Sequence, residues 1–516
     1  MIFHSLPVLS LLIWLPIACG MPLTLLRRPA AVRRSALLIA ATELLLAVTV
    51  MFHSDFSQPG FLWPERHPWI APLNLHYQLG IDGISAPFLP FTALLGLLAV
   101  LASWHTVGRL HGLYFALLLA LQGFTVGVFC ALDLGLFFLF WELTLPPTFL
   151  LVALWGIGPQ RRHAAVKYTL IMLGGGTLLL LGFSLLALNH SDHSGVIGLA
   201  GLSFDFPELL ETPVPTRLQG IIFLLLLFGF ATKAPLFPFH VWLPIVALEG
   251  PIAVTALLSG LKLGLYGILR FAIPLAPQAA QSHYRILAAL GITGAVYGAL
   301  LAMRQGNLRG MLAYSSVSHV GLVLLGISTF ELQGVQGAVL QLLNFSVATG
   351  GAFLLAGFLQ ARFGSTHLAH LGGCARQLPL LASFLFLAGL AGMGVPGTGG
   401  FAAEHLILLG TFHRHAGLGL AALAAAILGA AAFLTFFRKT MLGPVGHSPR
   451  TGFCDLRRRE LAIAVLAVLP ILGFGLLPQP LLDISRKPLS AWLARLQPSD
   501  SGSLAVRGSL REAPVR

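Results

Sequence analysis

Five ionisable side chains lie inside otherwise apolar stretches of the chain. Glu142 falls in "FFLFWELTLPPTFLL", Lys233 in "LLLLFGFATKAPLFPFHVWLP", Lys262 in "LLSGLKLGLYG", His319 in "AYSSVSHVGLVLLG" and Glu404 in "GVPGTGGFAAEHLILLG". A charge at mid-bilayer costs about 2.5–3.5 kcal/mol or more unless it faces a polar interior. An ordered series of acid, amine, amine, imidazole and acid offers protons successive resting places, and such series mark proton relays. Other roles fit the same residues one at a time. Lys233 and Lys262 can snorkel to the interface, His319 can be a neutral core histidine bonded to the serines around it, and Glu142 and Glu404 can be structural carboxyls held protonated. His240 and Arg270 fall at span ends and are expected at the interface, and Glu249, before Pro251, is expected as a cytoplasmic entrance or cap residue.

Glu142 and Lys233 invite a charge-controlled switch. At an effective dielectric near 20, an ionised carboxylate about 6 Å from an ammonium attracts it by roughly 3 kcal/mol. The lysine then holds its proton while the carboxylate is near and releases it more readily when the carboxylate is remote. Pro235 and Pro238 lack amide hydrogens and interrupt the helix ladder beside Lys233, freeing carbonyls that the bilayer tolerates only where water or protein reaches them. A hydrated pocket next to Lys233 is the expected result. Gly392, Gly394, Pro396, Gly397, Gly399 and Gly400 interrupt a second span just before Glu404.

Positioning these groups takes a membrane bundle. The 516 residues are 56% hydrophobic and 9% charged, with a mean hydropathy of +0.86, where a soluble domain carries about a quarter charged residues. Apolar runs long enough to span cover 3–26, 36–53, 85–106, 109–131, 134–156, 164–188, 218–240, 251–273, 285–303, 308–328, 333–360, 380–411, 416–437 and 460–479. They predict an all-α polytopic membrane protein of about fourteen transmembrane helices in a single integral-membrane domain over 1–516. The first stretch lacks a basic leader before its apolar run to Leu26, so a helix is expected there rather than a signal peptide. The two interrupted spans lie five apart. This fits two inverted five-helix repeats, 109–273 and 285–437, with the working site at their breaks.

Short loops rich in Lys and Arg stay cytoplasmic. Those loops hold Arg27, Arg28, Arg33 and Arg34, Arg109, Arg161 and Arg162, Arg304 and Arg309, Arg362 and Arg376, and Arg438, Lys439, Arg450 and Arg457 to Arg459. The alternate loops carry Asp55, Glu65, Asp133, Asp192, Asp205, Glu208, Glu211 and Glu331. Both termini are therefore expected on the extracytoplasmic side. The tail over 480–516 is the exception, basic at Arg486, Lys487, Arg495, Arg507, Arg511 and Arg516.

The net charge of +13 is spread over these loops rather than along one face, which argues against nucleic-acid binding. There is no P-loop, no GxGxxG opening a βαβ unit and no bis-histidine pattern for haem. Four cysteines, Cys19, Cys130, Cys374 and Cys454, show no CxxC spacing and are expected as buried apolar thiols. His367 and His370, or His413 and His415, lack carboxylate or cysteine company and are expected as solvated loop residues rather than metal ligands. No cofactor or metal site is expected in this chain.

With these residues assembled, the chain resembles the antiporter-like proton-pumping subunits of respiratory complex I, most of all the subunit M type, the homologue of mitochondrial subunit 4. The resemblance rests on "QLGIDGIS" (78–85), "FFLFWELTLPPTFLLVALWG" (137–156), "KAPLFPFHVWLP" (233–244), "LKLGLYGILRF" (261–271), "LAYSSVSHVGLVLLGI" (312–327), "GAVLQLLN" (337–344) and "GVPGTGGFAAEHLILLGTF" (394–412). It implies Glu142 as the paired carboxylate, Lys233 on the first broken helix, Lys262 on the next helix, His319 on the central axis and Glu404 on the second broken helix. A glutamate at that last position, where sister subunits have lysine, marks the subunit M type. It further implies an NADH:quinone oxidoreductase whose NADH, FMN, iron–sulfur clusters and quinone are held by partner subunits. Sister antiporter-like subunits would lie beside the chain in a bacterial inner membrane. Three positions depart from the pattern: Ile245 and Ala247 replace an Asp and a His, and Asn344 replaces a His. These departures also suit a subunit of an Mrp-type cation/proton antiporter or a related uptake or hydrogenase complex, or a structural membrane spacer whose relay is degenerate.

Overall fold

The structure is a computed structural model that describes residues 6–58, 60–195, 198–444 and 454–496. Arg450 and the tail beyond residue 496, including Arg507, Arg511 and Arg516, lie outside these residues.

In chain order the elements are α1 (Val8–Gly20), α2 (Pro29–His53), β1 (Leu62–Ile70), β2 (Leu75–Ile81), α3 (Phe88–Ala102), α4 (His111–Cys130), α5 (Leu134–Leu143), α6 (Leu145–Trp155), α7 (Arg161–Ser194), α8 (Phe206–Glu211), α9 (Thr216–Lys233), α10 (Trp242–Glu249), α11 (Ile252–Gly260) and α12 (Leu263–Gly267). There follow α13 (Pro277–Ser282), α14 (Tyr284–Arg304), α15 (Leu308–Ser328), α16 (Leu332–Phe363), α17 (Cys374–Gln377), α18 (Pro379–Gly392), α19 (Gly399–Arg414), α20 (Ala416–Phe437), α21 (Arg458–Leu476) and α22 (Gln479–Leu496).

Twelve helical segments among the described residues are long and apolar enough to cross a membrane. The other two expected spans correspond to α3 and to the broken pair α18 and α19. Leu38 and Leu45 of α2, Leu170 and Leu181 of α7, Leu420 and Ile427 of α20 and Leu469 of α21 are exposed. Helices apolar on their outer faces as well as their inner ones are solvated by lipid. The protein is a multi-pass integral membrane protein. At the centre, α16 is buried along almost its whole length and packs on α3, α11, α15, α18, α19 and α21.

Several features differ from the sequence expectation. β1 and β2 pair antiparallel, with Arg66 opposite Gln78 and His67 opposite Tyr77. Their proline- and histidine-rich residues follow no simple alternation, which hides the hairpin. Arg270, expected at the interface, is buried and donates to Asp82 Oδ2 at 2.7 Å between the rings of Phe61 and Phe206. Asp82 Oδ1 accepts from the amides of Ile84 and Ser85, which gives "QLGIDGIS" a structural role. The basic start of the tail forms α22, whose Arg495 pairs with Glu211 at 2.7 Å and whose Lys487 donates to the Ser57 carbonyl at 2.6 Å. These positive charges thus meet the acidic loops. Cys130 and Cys374 are buried as expected, whereas Cys19 and Cys454 are exposed.

Candidate functional site

The site is built from helix interruptions. Asp133 caps α5 by accepting from the amides of Gly135 and Leu136, and α5 stops at Thr144 because Pro146 and Pro147 supply no amide hydrogens. Sequence reasoning expected breaks only near Pro235 and Pro396. This one, directly after Glu142, and another between α11 and α12 at Lys262 are additional.

Lys233 is the last residue of α9 and is buried. Its Nζ donates to the Trp141 carbonyl at 2.8 Å and to Thr144 Oγ1 at 2.7 Å, and it lies 4.0 Å from the centroid of the Trp141 indole. A cation over an indole is stabilised by the ring quadrupole. The lysine is thus held by the broken end of the helix that carries Glu142 rather than by the Glu142 carboxylate itself. That carboxylate is half-buried and its Oε1 lies against Gly176 of α7, where a β-carbon would stand 2.1 Å away. Beyond Lys233 the chain leaves helical geometry through 234–238, the segment with Pro235 and Pro238. The Thr232 carbonyl accepts from the Trp242 indole at 2.8 Å. A cavity of about 30 Å³ lies beside Lys233, walled by Gln122, Thr125, Thr144, Trp242 and Leu261 among others. It is large enough for a water and polar enough to hold one.

Lys262 stands in the gap before α12 and donates to Ser316 Oγ at 2.6 Å. Ser316 and His319 are three residues apart on α15 and share a face. His319 Nε2 donates to the Gly392 carbonyl at 2.8 Å, an acceptor freed where α18 ends, and lies 3.9 Å from Glu404 Oε1. Because a carbonyl can only accept, this nitrogen carries the hydrogen. Between α18 and α19, residues 393–398 with Pro396 form the second break. Gly394, at φ +64°, leaves the room occupied by Glu404 Oε2, which a β-carbon there would approach to 2.3 Å. Glu404 Oε1 accepts from Gln341 Nε2 at 3.3 Å, and Gln341 Oε1 accepts from Asn344 Nδ2 at 3.2 Å. Lys262, Ser316, His319, Glu404, Gln341 and Asn344 therefore form one polar line through the apolar core.

Two supporting residues stand apart from this line. His240, expected at the interface, is buried among the rings of Phe237, Tyr297 and Tyr314. Glu249 accepts from the Gln160 amide at 2.7 Å at the start of α7. Sequence reasoning missed Glu43. This fully buried carboxyl of α2 accepts from Gln122 Nε2 at 2.7 Å, and Gln122 also walls the cavity beside Lys233. A lone acid in an apolar helix was the available sign. Among the described residues no cluster of three or more His, Cys, Asp or Glu side chains could hold a metal.

The model of the family described as "NADH:quinone oxidoreductase/Mrp antiporter, TM" matches residues 131–429, which hold all five axis residues. A relative named NAD(P)H-quinone oxidoreductase chain 4 1, from Synechococcus sp. (strain JA-3-3Ab), is 36% identical over 486 residues, 92% of this chain and 90% of its own. NADH-quinone oxidoreductase subunit M of Rickettsia conorii (strain ATCC VR-613 / Malish 7) is 32% identical over 491 residues, covering 93% of this chain and 97% of its own. A chain in the structure of respiratory complex I from Thermus thermophilus with bound NADH superimposes with a TM-score of 0.86 at 31% identity, covering 95% of this chain and all of that one. Matching in sequence, in fold and over nearly the full length of these relatives, the chain belongs to the NADH:quinone oxidoreductase/Mrp antiporter transmembrane family.

Proposed function

We propose that the chain is the M-type antiporter-like subunit of an NADH:quinone oxidoreductase and moves protons along the line from Glu142 to Glu404. The carrying observation is the series Lys262–Ser316, one turn on to His319, then Glu404, which runs from the helix after the first break to the second break through the protein core. Loss of charge at Glu142 weakens the hold on the Lys233 proton. That proton passes by way of the adjoining cavity to Lys262, then along Ser316 and His319 to Glu404, which exchanges it with the aqueous side. Charge movement is driven by redox work in partner subunits that carry NADH, FMN, iron–sulfur clusters and quinone, with sister antiporter-like subunits alongside. The five helices over 109–273 and those over 285–437 act as two inverted repeats, with the break at Pro235 in the first and the break at Pro396 in the second. The chain sits in a bacterial inner membrane with both termini extracytoplasmic.

The test is NADH-driven acidification of inverted membrane vesicles carrying Glu142→Gln or Lys262→Ala in the assembled complex. Proton uptake is expected to fall while the complex still assembles; unchanged uptake in both variants would falsify the relay. Ile245 and Ala247 in α10, in place of the resembling family's Asp and His, keep an Mrp-type antiporter reading in view. It requires proton movement driven by a sodium gradient without NADH.

A further inference from the structure

On the side of the bundle that bears Arg33, Arg109 and Arg457 to Arg459, a cavity of about 210 Å³ opens among α3, α4, α11, α16 and α21. Ile252, Leu354 and Phe358 form part of its apolar wall, and Arg457 and Arg459 stand at its polar rim. A second cavity, of about 450 Å³, shares His105, Arg457 and Arg459 and adds Leu37, Leu101 and Trp104. Two guanidinium groups thus stand where two apolar-walled grooves meet.

The cations outnumber their acceptors. Glu460, the carboxylate at this site, already accepts from Arg362 Nη2 at 2.5 Å and from the Arg457 amide at 3.0 Å. Arg459 Nε and Nη1 are shielded from solvent and have no hydrogen-bond partner among the described residues, and Arg33 Nε is in the same state. A shielded donor of a charged group left unpaired is destabilising, and a bound anion would relieve it. α21 begins at Arg458, and its amino-terminal dipole adds to the positive field. His105, in the loop after α3, reports that field: partial desolvation and the neighbouring Arg459, Arg33 and Arg457 hold it below the usual imidazole range.

An anion held by two arginines, with apolar-walled grooves leading away from it, describes a phosphate group carrying acyl chains. Basic pockets between transmembrane helices at the cytoplasmic face recognise such head groups. We propose that this cavity binds an anionic phospholipid, its phosphate on Arg457 and Arg459 and its chains along the grooves beside Leu354 and Leu101. Free phosphate satisfies the arginines but leaves the apolar walls unfilled, so the lipid is the assigned occupant.

The test uses the whole complex purified in mild detergent, with bound phospholipid quantified by mass spectrometry. The unmodified chain and an Arg376→Gln control are expected to retain an anionic phospholipid at one per chain. Retention is expected to drop at least tenfold in Arg457→Gln/Arg459→Gln and to persist in Arg459→Lys, which keeps the cation. Delipidated complex should rise in thermal stability when phosphatidylglycerol vesicles are added, but not with phosphatidylcholine vesicles or inorganic phosphate. Equal retention in the double variant, equal stabilisation by phosphatidylcholine, or stabilisation by inorganic phosphate alone would each overturn the assignment.

Discussion

Lys262 donates to Ser316 Oγ at 2.6 Å, and Ser316 lies one helical turn from His319. The hydroxyl is therefore the contact through which the second membrane lysine meets the histidine helix. Ser316→Ala removes a hydrogen bond to a charged group, a loss of about 1.5–3 kcal/mol, or roughly ten- to hundredfold in a rate limited by that step. NADH-driven proton uptake into vesicles should fall by that order, and Ser316→Thr should restore most of it. Ser318→Ala, whose hydroxyl instead donates to the Ala295 carbonyl, should leave uptake near normal.

Gly176 sets the position of Glu142. A β-carbon at Gly176 would stand 2.1 Å from Glu142 Oε1, whereas one at Gly174 meets nothing within 4 Å. Gly176→Ala should therefore lower proton uptake as Glu142→Gln does, with the complex still assembled on native gels. Equal uptake in Gly176→Ala and Gly174→Ala would show that the carboxylate has freedom this packing denies it.

The buried pair of Arg270 and Asp82 joins the end of the α12 region to the turn before α3. Removing one partner of a buried ion pair costs about 3–5 kcal/mol, whereas replacing both with apolar groups of similar volume is close to neutral. Thermal unfolding of the purified complex should accordingly show a large loss for Asp82→Leu and recovery in Asp82→Leu/Arg270→Met. Proton uptake by the double variant should stay near normal, because neither residue lies on the polar line.

Glu404→Gln preserves size and the neighbourhood of Gln341 but removes the exchangeable proton. Acid–base groups commonly contribute on the order of a hundredfold or more to proton transfer. Uptake should fall by at least tenfold, with little change in thermal stability. A Gln341→Leu variant, which strips the carboxyl of its 3.3 Å donor, should show a smaller loss.

Residues that break a local rule were the ones legible in the sequence. An amine or acid deep in an apolar run, or a cluster of prolines and glycines within a span, carries a local cost that marks it, so the axis residues and two of the breaks stood out, whereas Glu43 and the break at Pro146 and Pro147 did not. What escaped depends on distance along the chain. Asp82 and Arg270 are separated by 188 positions, so Arg270 alone read as a span-end charge. Glu43 lies in a first-quarter helix whose own sequence offers no partner for a carboxyl, and only the fold brings Gln122 to it. The interruption at Lys262 contains no proline, which left it without a mark in the sequence.

The carbonyls of Trp141 and Gly392 share one circumstance: each lies where a helix ends, and each accepts from a titratable side chain, Lys233 and His319 respectively. Charge and backbone shape are therefore one variable at these two points. When either side chain changes protonation, the strength of its grip on a loose helix end changes with it, so the passage of a proton is also a small mechanical stroke delivered to the scaffold. Amide hydrogen exchange at Thr144 and Gly394 would register that stroke as it happens.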